Sequence, residues 1–533
     1  MFWGCEVRTD TFENLSDKSS KVSDKPYFVG GVSWKKQCYC NSYKKAVRLA
    51  VEVIGGNKMY PNWILQRAYL TPLREALTYG GQTWTFHEVN ELALKRARQL
   101  AAMGIQQGAR IAIMGPSTPD LVIMMYGCMH LQCELVMLNR RLSATEIAYQ
   151  LEDAAVVAVL VADEDNNKLP KNATRLLFSD IAQGAEKACV IEKEWALEQT
   201  TSIMYTSGTT GFPKGVRQTV GNHQASATAS VFNLGLQAED VWLCAVPLFH
   251  ISGFSILVRS LLYGNKVHLY EQFDVDAITN HIVNGDVTHM SVVAVTLERI
   301  LQAIEEKKTT ASLQFKMMLA GGGPVPVDYL QRAQALHLAV AQTYGMTETS
   351  SQTATLSSED AMRKIGSAGK PLFFNQIRID APNEQGEGEI CIRGPHVTPG
   401  YIGRFAQKEA TRDGWLHTGD IGYIDEEGYL FVIDRRADLI ISGGENIYPA
   451  EIENVLLAHP AVKEAGVYGK EDEKWGQIPV AYLVLKEQIS IEDVLRFCQD
   501  KLAKYKIPKE IKFVDQLPRN GANKLLRRKL KEL

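Results

Sequence analysis

The sequence predicts an α/β protein with a large N-terminal domain of α/β subdomains, a small β-rich subdomain after it, and a small C-terminal α/β domain. Three observations predict this. From Tyr60 onward, short apolar runs alternate with stretches of helical length, the rhythm of βαβ units and a largely parallel sheet. After about residue 370 the rhythm shortens and turn residues multiply. Beyond Asp438 a segment of 95 residues (533 − 438) carries helices and apolar runs of its own, enough for a small domain.

In chain order, Val89–Met103 has helical periodicity, Ile111–Met114 is a buried-strand run, and a helical pattern starts at Pro119. Leu135–Leu138, Val156–Val161, Val241–Ala245, Lys266–Tyr270 and Lys316–Leu319 continue the strand series. Glu387–Ile392 reads as a strand of the β-rich part, and Asp425-Glu426-Glu427-Gly428 as a hairpin turn before Tyr429–Ile433. The last segment offers a helix over Ala450–Ala458, an apolar run over Val480–Leu485, a second helix over Ile491–Lys501 and a basic end.

Composition removes several classes of function. Lys+Arg 58 against Asp+Glu 61 gives a net charge of −3, with no general attraction for nucleic acid or anionic lipid. The most apolar long stretch, Leu121–Leu138, is interrupted by His130, Gln132 and Glu134, which are costly at a bilayer centre, so no membrane insertion is expected. The first thirty residues lack the apolar core of an export signal. Nine scattered cysteines without a CxxC pair read as reduced thiols of a cytoplasmic protein, and Cys38-x-Cys40 alone is too little for a zinc site.

The most informative stretch is Met204-Tyr205-Thr206-Ser207-Gly208-Thr209-Thr210-Gly211-Phe212-Pro213-Lys214-Gly215-Val216. Glycines let backbone N–H groups converge on a ligand, hydroxyls donate to phosphate oxygens, and a lysine adds a point charge. The chemistry indicated is polyphosphate binding. It is not a Walker A loop, because Pro213 stands where the second glycine belongs and no Ser or Thr follows Lys214. Gly321-Gly322-Gly323-Pro324 follows the apolar run Met317–Leu319, at the strand end where open α/β sheets bind ligands.

The threonine- and glycine-rich string resembles the phosphate-loop signature of the acyl-adenylate-forming superfamily, which includes acyl-CoA synthetases, adenylation domains and luciferases. Other marks of that family follow in order: Tyr344-Gly345-Met346-Thr347-Glu348-Thr349, Trp415-Leu416-His417-Thr418-Gly419-Asp420, Asp434-Arg435-Arg436, Ser442-Gly443-Gly444-Glu445-Asn446-Ile447-Tyr448-Pro449, and Leu517-Pro518-Arg519-Asn520-Gly521-Ala522-Asn523-Lys524. The resemblance runs from about Met59 to Leu533. Within the family, Ser367–Phe373, Leu502–Pro508 and Asn523–Arg527 are most similar to the branch that joins 2-succinylbenzoate to CoA in menaquinone biosynthesis.

The resemblance implies a reaction in two halves. A carboxylate attacks the α-phosphorus of ATP to give acyl-AMP and pyrophosphate, and the CoA thiolate then displaces AMP. It implies that Thr206, Ser207, Gly208, Thr209, Thr210 and Lys214 hold the triphosphate, that Thr347 donates to the α-phosphate, and that Glu348 binds Mg²⁺, a hard oxygen donor for a hard cation. By the same resemblance, Gly321, Gly322 and Gly323 are expected to lie flat against the purine, Tyr344 to stack on adenine beside Gly345, and Asp420 and Arg435 to take the ribose. It also implies that Lys524 is the catalytic lysine of adenylation, although Asn523 stands where the family usually has glycine. The acyl pocket is expected to start at His250, Ser252 and Gly253, and Arg259 reads first as a surface or structural arginine and second as a partner for the acid's other carboxylate. A mobile C-terminal domain of residues 439–533 is expected to rotate about a hinge at 435–438, centred on Ala437, relative to the domain of residues 59–434. The resemblance implies that rotation brings the loop Ser442-Gly443-Gly444-Glu445-Asn446 to line a pantetheine tunnel, and Trp475 reads equally as a neighbour of the CoA or as a core residue.

The expected partners are therefore a small carboxylic acid, ATP and CoA, with the oligomeric state open, a homo-oligomer included. The alternatives are a ligase for another aryl or fatty acid and a carrier-loading or luciferase-like adenylating enzyme. No phosphopantetheine serine follows the Lys524 motif, which weighs against carrier loading. Residues 1–58 hold three of the nine cysteines and little hydrophobic periodicity, and are expected to be a non-native or disordered extension. Reverse translation of Gly55-Gly56-Asn57-Lys58-Met59 allows GGAGG a short spacer ahead of ATG, so translation in a bacterial source is expected to start at Met59.

Overall fold

The computed structural model describes residues 59–533, save 208–211, 323–324, 385, 435–439, 448 and 519–526. The expected extension 1–58 and hinge 435–438 lie outside the described residues. Six strands form a first sheet in the spatial order Pro213–Thr219, Thr200–Ser207, Glu134–Met137, Arg110–Met114, Ala158–Val161 and Arg175–Leu177. All neighbours run parallel except the first pair. Ile111–Met114 and Val159–Val161 are buried on both faces, which is why they read as unbroken apolar runs.

The helix expected from Val89 begins earlier and spans Phe86–Ala102. Thr85 and Glu88 cap it reciprocally: the Glu88 N–H donates to Thr85 Oγ1 (3.2 Å) and the Thr85 N–H donates to Glu88 Oε2 (2.7 Å). The apolar helix Pro119–His130 has all but its first two residues buried. No helix among the described residues is long and apolar enough to cross a membrane.

A second sheet contains the parallel strands Glu75–Tyr79, Lys266–Leu269, Val241–Cys244, His289–Val292, Met317–Ala320 and Val340–Met346. The β-rich part is not a separate body beside it. Ser351–Leu356 pairs antiparallel with Val340–Met346, and the hydrogen-bonded path continues through Ser367–Pro371, Leu430–Asp434, Trp415–Ile424, Gly388–Arg393 and Gln376–Asp380. Gly428, at φ +85°, closes the expected hairpin turn.

The C-terminal module has its own five-stranded sheet, built on the long antiparallel pair Val462–Asp472 and Gly476–Leu485, with Glu510–Phe513 parallel to the latter. Helices Pro449–Leu457 and Ile491–Gln499 close a core of Ile440, Ile447, Ile452, Leu456, Val467 and Leu483. The second helix stops two residues short of the expected Lys501. The Asp500 and Lys501 carbonyls accept hydrogen bonds from Thr145 and Ser143 of the large domain.

Candidate active site

The strands Thr200–Ser207 and Pro213–Thr219 pair with Ser207 opposite Pro213, so both ends of the threonine- and glycine-rich segment emerge side by side at a sheet edge. Gly208, Thr209, Thr210, Gly323, Arg435 and Lys524 lie outside the described residues, and Ser207 is placed by its backbone alone. Thr206 lines a cavity of about 100 Å³ together with Thr347, His250, Glu445 and Lys506. Lys214 is buried, its ammonium 5.8 Å from the Tyr401 ring centre and 5.4 Å from that of Phe405, close enough for aromatic faces to favour the cation.

Thr347 and Glu348 sit on a short 3₁₀ turn between two antiparallel strands. Gly345 makes the approach to this turn: a Cβ there would lie 1.7 Å from the Ser351 carbonyl oxygen, so no other residue fits. Both backbone carbonyls of the turn are held. Gln218 Nε2 donates to Thr347 O (2.8 Å), and the Thr398 N–H donates to Glu348 O (2.8 Å). Gln218 is itself fixed by the buried Ser202 hydroxyl (2.6 Å), which also meets His223 Nε2 (2.8 Å). The turn's backbone is therefore fixed, and it carries a hydroxyl and a half-buried carboxylate, a hard-oxygen donor set that suits Mg²⁺.

Gly321 and Gly322 end the strand Met317–Ala320, where the Gly321 N–H donates to Val292 O (3.0 Å) and Gly322 takes φ +86°. The structure couples two residues expected to act separately. Tyr344 is buried among Ile390, Leu416 and Leu430, and its hydroxyl donates to Asp420 Oδ2 (2.7 Å), fixing the ribose-binding candidate. The turn before Asp420 is held by Glu389, whose carboxylate accepts from the Gly419 N–H (2.8 Å) and meets His417 Nδ1 (2.9 Å).

On the acyl side, His250 is the N-cap residue of helix Ile251–Tyr263. Ser252 lines a larger cleft of about 990 Å³ with His250, Arg141, Val293 and Gly443–Glu445. Gly253 serves packing: a Cβ would sit 2.3 Å from the Pro247 carbonyl oxygen. Arg259 is no surface residue and takes the structural alternative. It is buried, which pushes its guanidinium pKa down, lies 5.3 Å from the Trp242 ring, and donates to Ser351 Oγ (3.3 Å) just after the Thr347–Glu348 turn.

The glycine turn of the C-terminal module closes the cleft. Gly443 (φ +57°) and Gly444 (φ +85°) are wedged between Trp475 and Val293: Cβ atoms would lie 2.9 Å from Trp475 Cε3 and 3.3 Å from Val293 Cγ2. Trp475 is 44% exposed and its carbonyl accepts from the Gly443 N–H (2.8 Å), so it backs the turn and is no core residue. Glu445 then reaches across to the large domain, 2.5 Å from Arg141 Nη1 and 3.3 Å from His250 Nε2. Burial raises its pKa, but the His250 contact and the Arg141 charge outweigh burial and bring it down to about 2.

Sequence reasoning gave no role to Arg141, Glu146 or Lys506 and placed Glu445 only in the loop facing the active site; all four meet at this junction. Ser143-x-x-Glu146 is legible as a capping box, but nothing in that pattern announces a partner 360 residues away. Taken together, the site can hold a nucleotide's phosphates beside Thr206 and Thr347, an acid beside His250, and a slender thiol arm in the cleft lined by the glycine turn.

This architecture defines an adenylate-forming enzyme, and the chain belongs to the AMP-binding enzyme family: the family model matches residues 64–402, and that of the AMP-binding enzyme C-terminal domain matches residues 451–524. The chain is 46% identical over 480 residues to 2-succinylbenzoate–CoA ligase of a Geobacillus strain, covering 89% of this chain and 97% of the relative. It is 45% identical over 478 residues to the Bacillus cereus ligase of the same name, covering 89% and 98%. Among solved structures, o-succinylbenzoate CoA synthetase from Bacillus subtilis is 44% identical. The form bound to a CoA product analogue matches with a TM-score of 0.84 over 89% of this chain and 99% of that one. The form holding the acyl-adenylate intermediate matches at 0.68 over 89% and 98%.

Proposed function

We propose that this chain is an ATP-dependent acid–thiol ligase that converts 2-succinylbenzoate to 2-succinylbenzoyl-CoA, a step of menaquinone biosynthesis. The observation that carries the reading is 45–46% identity to ligases of that name over nearly their whole length. The site agrees with it, because one junction gathers Thr206, Thr347, His250 and the Gly443–Gly444 turn. The six described cysteines are all free, which suits a reducing cytoplasmic compartment.

In the first half-reaction the substrate carboxylate attacks the α-phosphorus and pyrophosphate leaves. Negative charge accumulates at phosphorus, where Thr206 and Thr347 donate and Lys524 supplies a cation. Glu348 would hold Mg²⁺, which would supply neutralising charge for the phosphates. Asp420, oriented by Tyr344, accepts from the ribose hydroxyls. In the second half-reaction the CoA thiolate attacks the acyl carbon and AMP leaves, the pantetheine arm passing the side-chain-free Gly443–Gly444 turn. The test is a screen of carboxylic acids for AMP release with and without CoA. The expected result is the highest kcat/KM for 2-succinylbenzoate with CoA-dependent thioester formation, and a higher value for benzoate or a medium-chain fatty acid would overturn the assignment.

A further inference from the structure

Lys506 makes an ionic contact that no part of the reaction described above uses. Its ammonium lies 2.5 Å from Glu146 Oε1 and 2.7 Å from Glu451 Oε1, and all three residues are more than nine-tenths buried. Glu451 stands in the first turn of helix Pro449–Leu457, within the same C-terminal module as Lys506. Glu146 belongs to helix Ala144–Ala154 of the large domain. One ammonium therefore ties the two bodies together. The neighbouring grips are ordinary by comparison: Ser143 Oγ donates to Lys501 O (3.1 Å) and Thr145 Oγ1 to Asp500 O (3.2 Å).

Two carboxylates share this cation. For Glu146, burial is outweighed by the Lys506 charge and the Ser143 donors, and its pKa falls; for Glu451, burial and the Glu146 charge prevail and its pKa rises. Because Glu451 shares a module with Lys506 and Glu146 does not, the contact is separable. When the module leaves, Lys506 keeps Glu451 as a partner, while Glu146 stays on the large domain and meets water, so no group is stranded as an unpaired buried charge. When the module docks in any other register, Glu146 is buried without its cation or not buried at all.

We propose that Glu146 is a positioning residue for the thiol-transfer half-reaction: by pairing with Lys506 it docks the C-terminal module in the one orientation that sets Gly443, Gly444 and Glu445 against the cleft. The inference rests on the ligase reading above and adds to it the device that selects the second half-reaction.

Glu146→Gln tests it cleanly. A glutamine amide oxygen can still accept from the Ser143 N–H, as in an S-x-x-Q capping box, so the helix keeps its start and loses only the charge. With the full chain, ATP and Mg²⁺, pyrophosphate release from 2-succinylbenzoate without CoA reads the first half-reaction. Single-turnover reaction of preformed acyl-adenylate with CoA reads the second. The expected result for Glu146→Gln is a loss of about ten-fold or more in the second, a coupling of ordinary size, with the first changed less than about two-fold. Glu451→Gln, which alters only the arm inside the module, should cost the second half-reaction less than Glu146→Gln. Equal losses in both half-reactions, or an unchanged second half-reaction in Glu146→Gln, would overturn the proposal. Absence of pyrophosphate release by the wild type would instead retire 2-succinylbenzoate, and the same split would then be read with the acid that does release it.

Discussion

Glu445 shows what a single carboxylate does at a junction. It is 5% exposed, yet ionised, because Arg141 and His250 converge on it. Its pKa is about 2 in the folded chain against 4.5 unperturbed, so the unfolded chain takes the proton first as pH falls. The stabilisation is full above about pH 4.5 and is lost as pH drops toward about 2; a shift of that size corresponds to on the order of 3 kcal/mol. The denaturation midpoint of the wild type should therefore fall more steeply between about pH 5 and about pH 3 than that of Glu445→Gln, and parallel curves would show that the pairing does not hold. Lys524→Ala should lower pyrophosphate release by about 10³-fold and spare transfer from supplied acyl-adenylate, because its charge is needed only where the α-phosphate is attacked. At this scale the sequence was most legible where chemistry demands several unusual residues in a row, as at Thr206–Gly215 and Tyr344–Thr349. Arg141 was silent and the pairing of Glu445 unread, since each is one charged residue whose partner lies 304 positions away.

The glycines that matter are properties of elements. Gly345 sits where the strand entering the Thr347–Glu348 turn presses on the strand leaving it, and a Cβ 1.7 Å from the Ser351 carbonyl oxygen cannot be accommodated. Gly345→Ala should displace the turn and depress adenylation by about 10²-fold, as measured by ATP–pyrophosphate exchange. Gly444→Leu should do the reverse: a side chain at φ +85° facing Val293 blocks the thiol's path, so thioester formation falls while exchange persists. Buried parallel strands such as Ile111–Met114 were readable because both faces are apolar. The strand Val462–Asp472 was not. Its pattern mixes buried and exposed positions irregularly, and its hairpin lacks an Asn-Gly or Asp-Gly turn. The turn is made instead by Asp472 Oδ1 accepting from the Lys474 and Trp475 N–H groups.

At the scale of the whole molecule, the β-rich part is hydrogen-bonded into the parallel sheet, a continuity that no local pattern encodes because it depends on which edge strand finds which. The relatives align over 97–98% of their own length with 89% of this chain, which supports the proposal that residues 1–58 are dispensable. Met59–Leu533 expressed alone should equal the full chain in thermal midpoint and turnover; a truncated chain that fails to fold would refute this.

The seam between the large domain and the C-terminal module is gripped by ions where many interfaces rely on oil. Parting it moves Lys506, Glu146 and Glu445 from a dry place into water. Hydration of ions carries a strongly unfavourable entropy, so water welcomes those charges less as temperature rises. Warming therefore favours the closed seam over the open one, the opposite of a contact that simply frays with heat. If the module parts from the large domain between half-reactions, warming should shift turnover toward thioester formation, and the steady-state fraction of acyl-adenylate should fall as temperature rises; a fraction that rises instead would refute this.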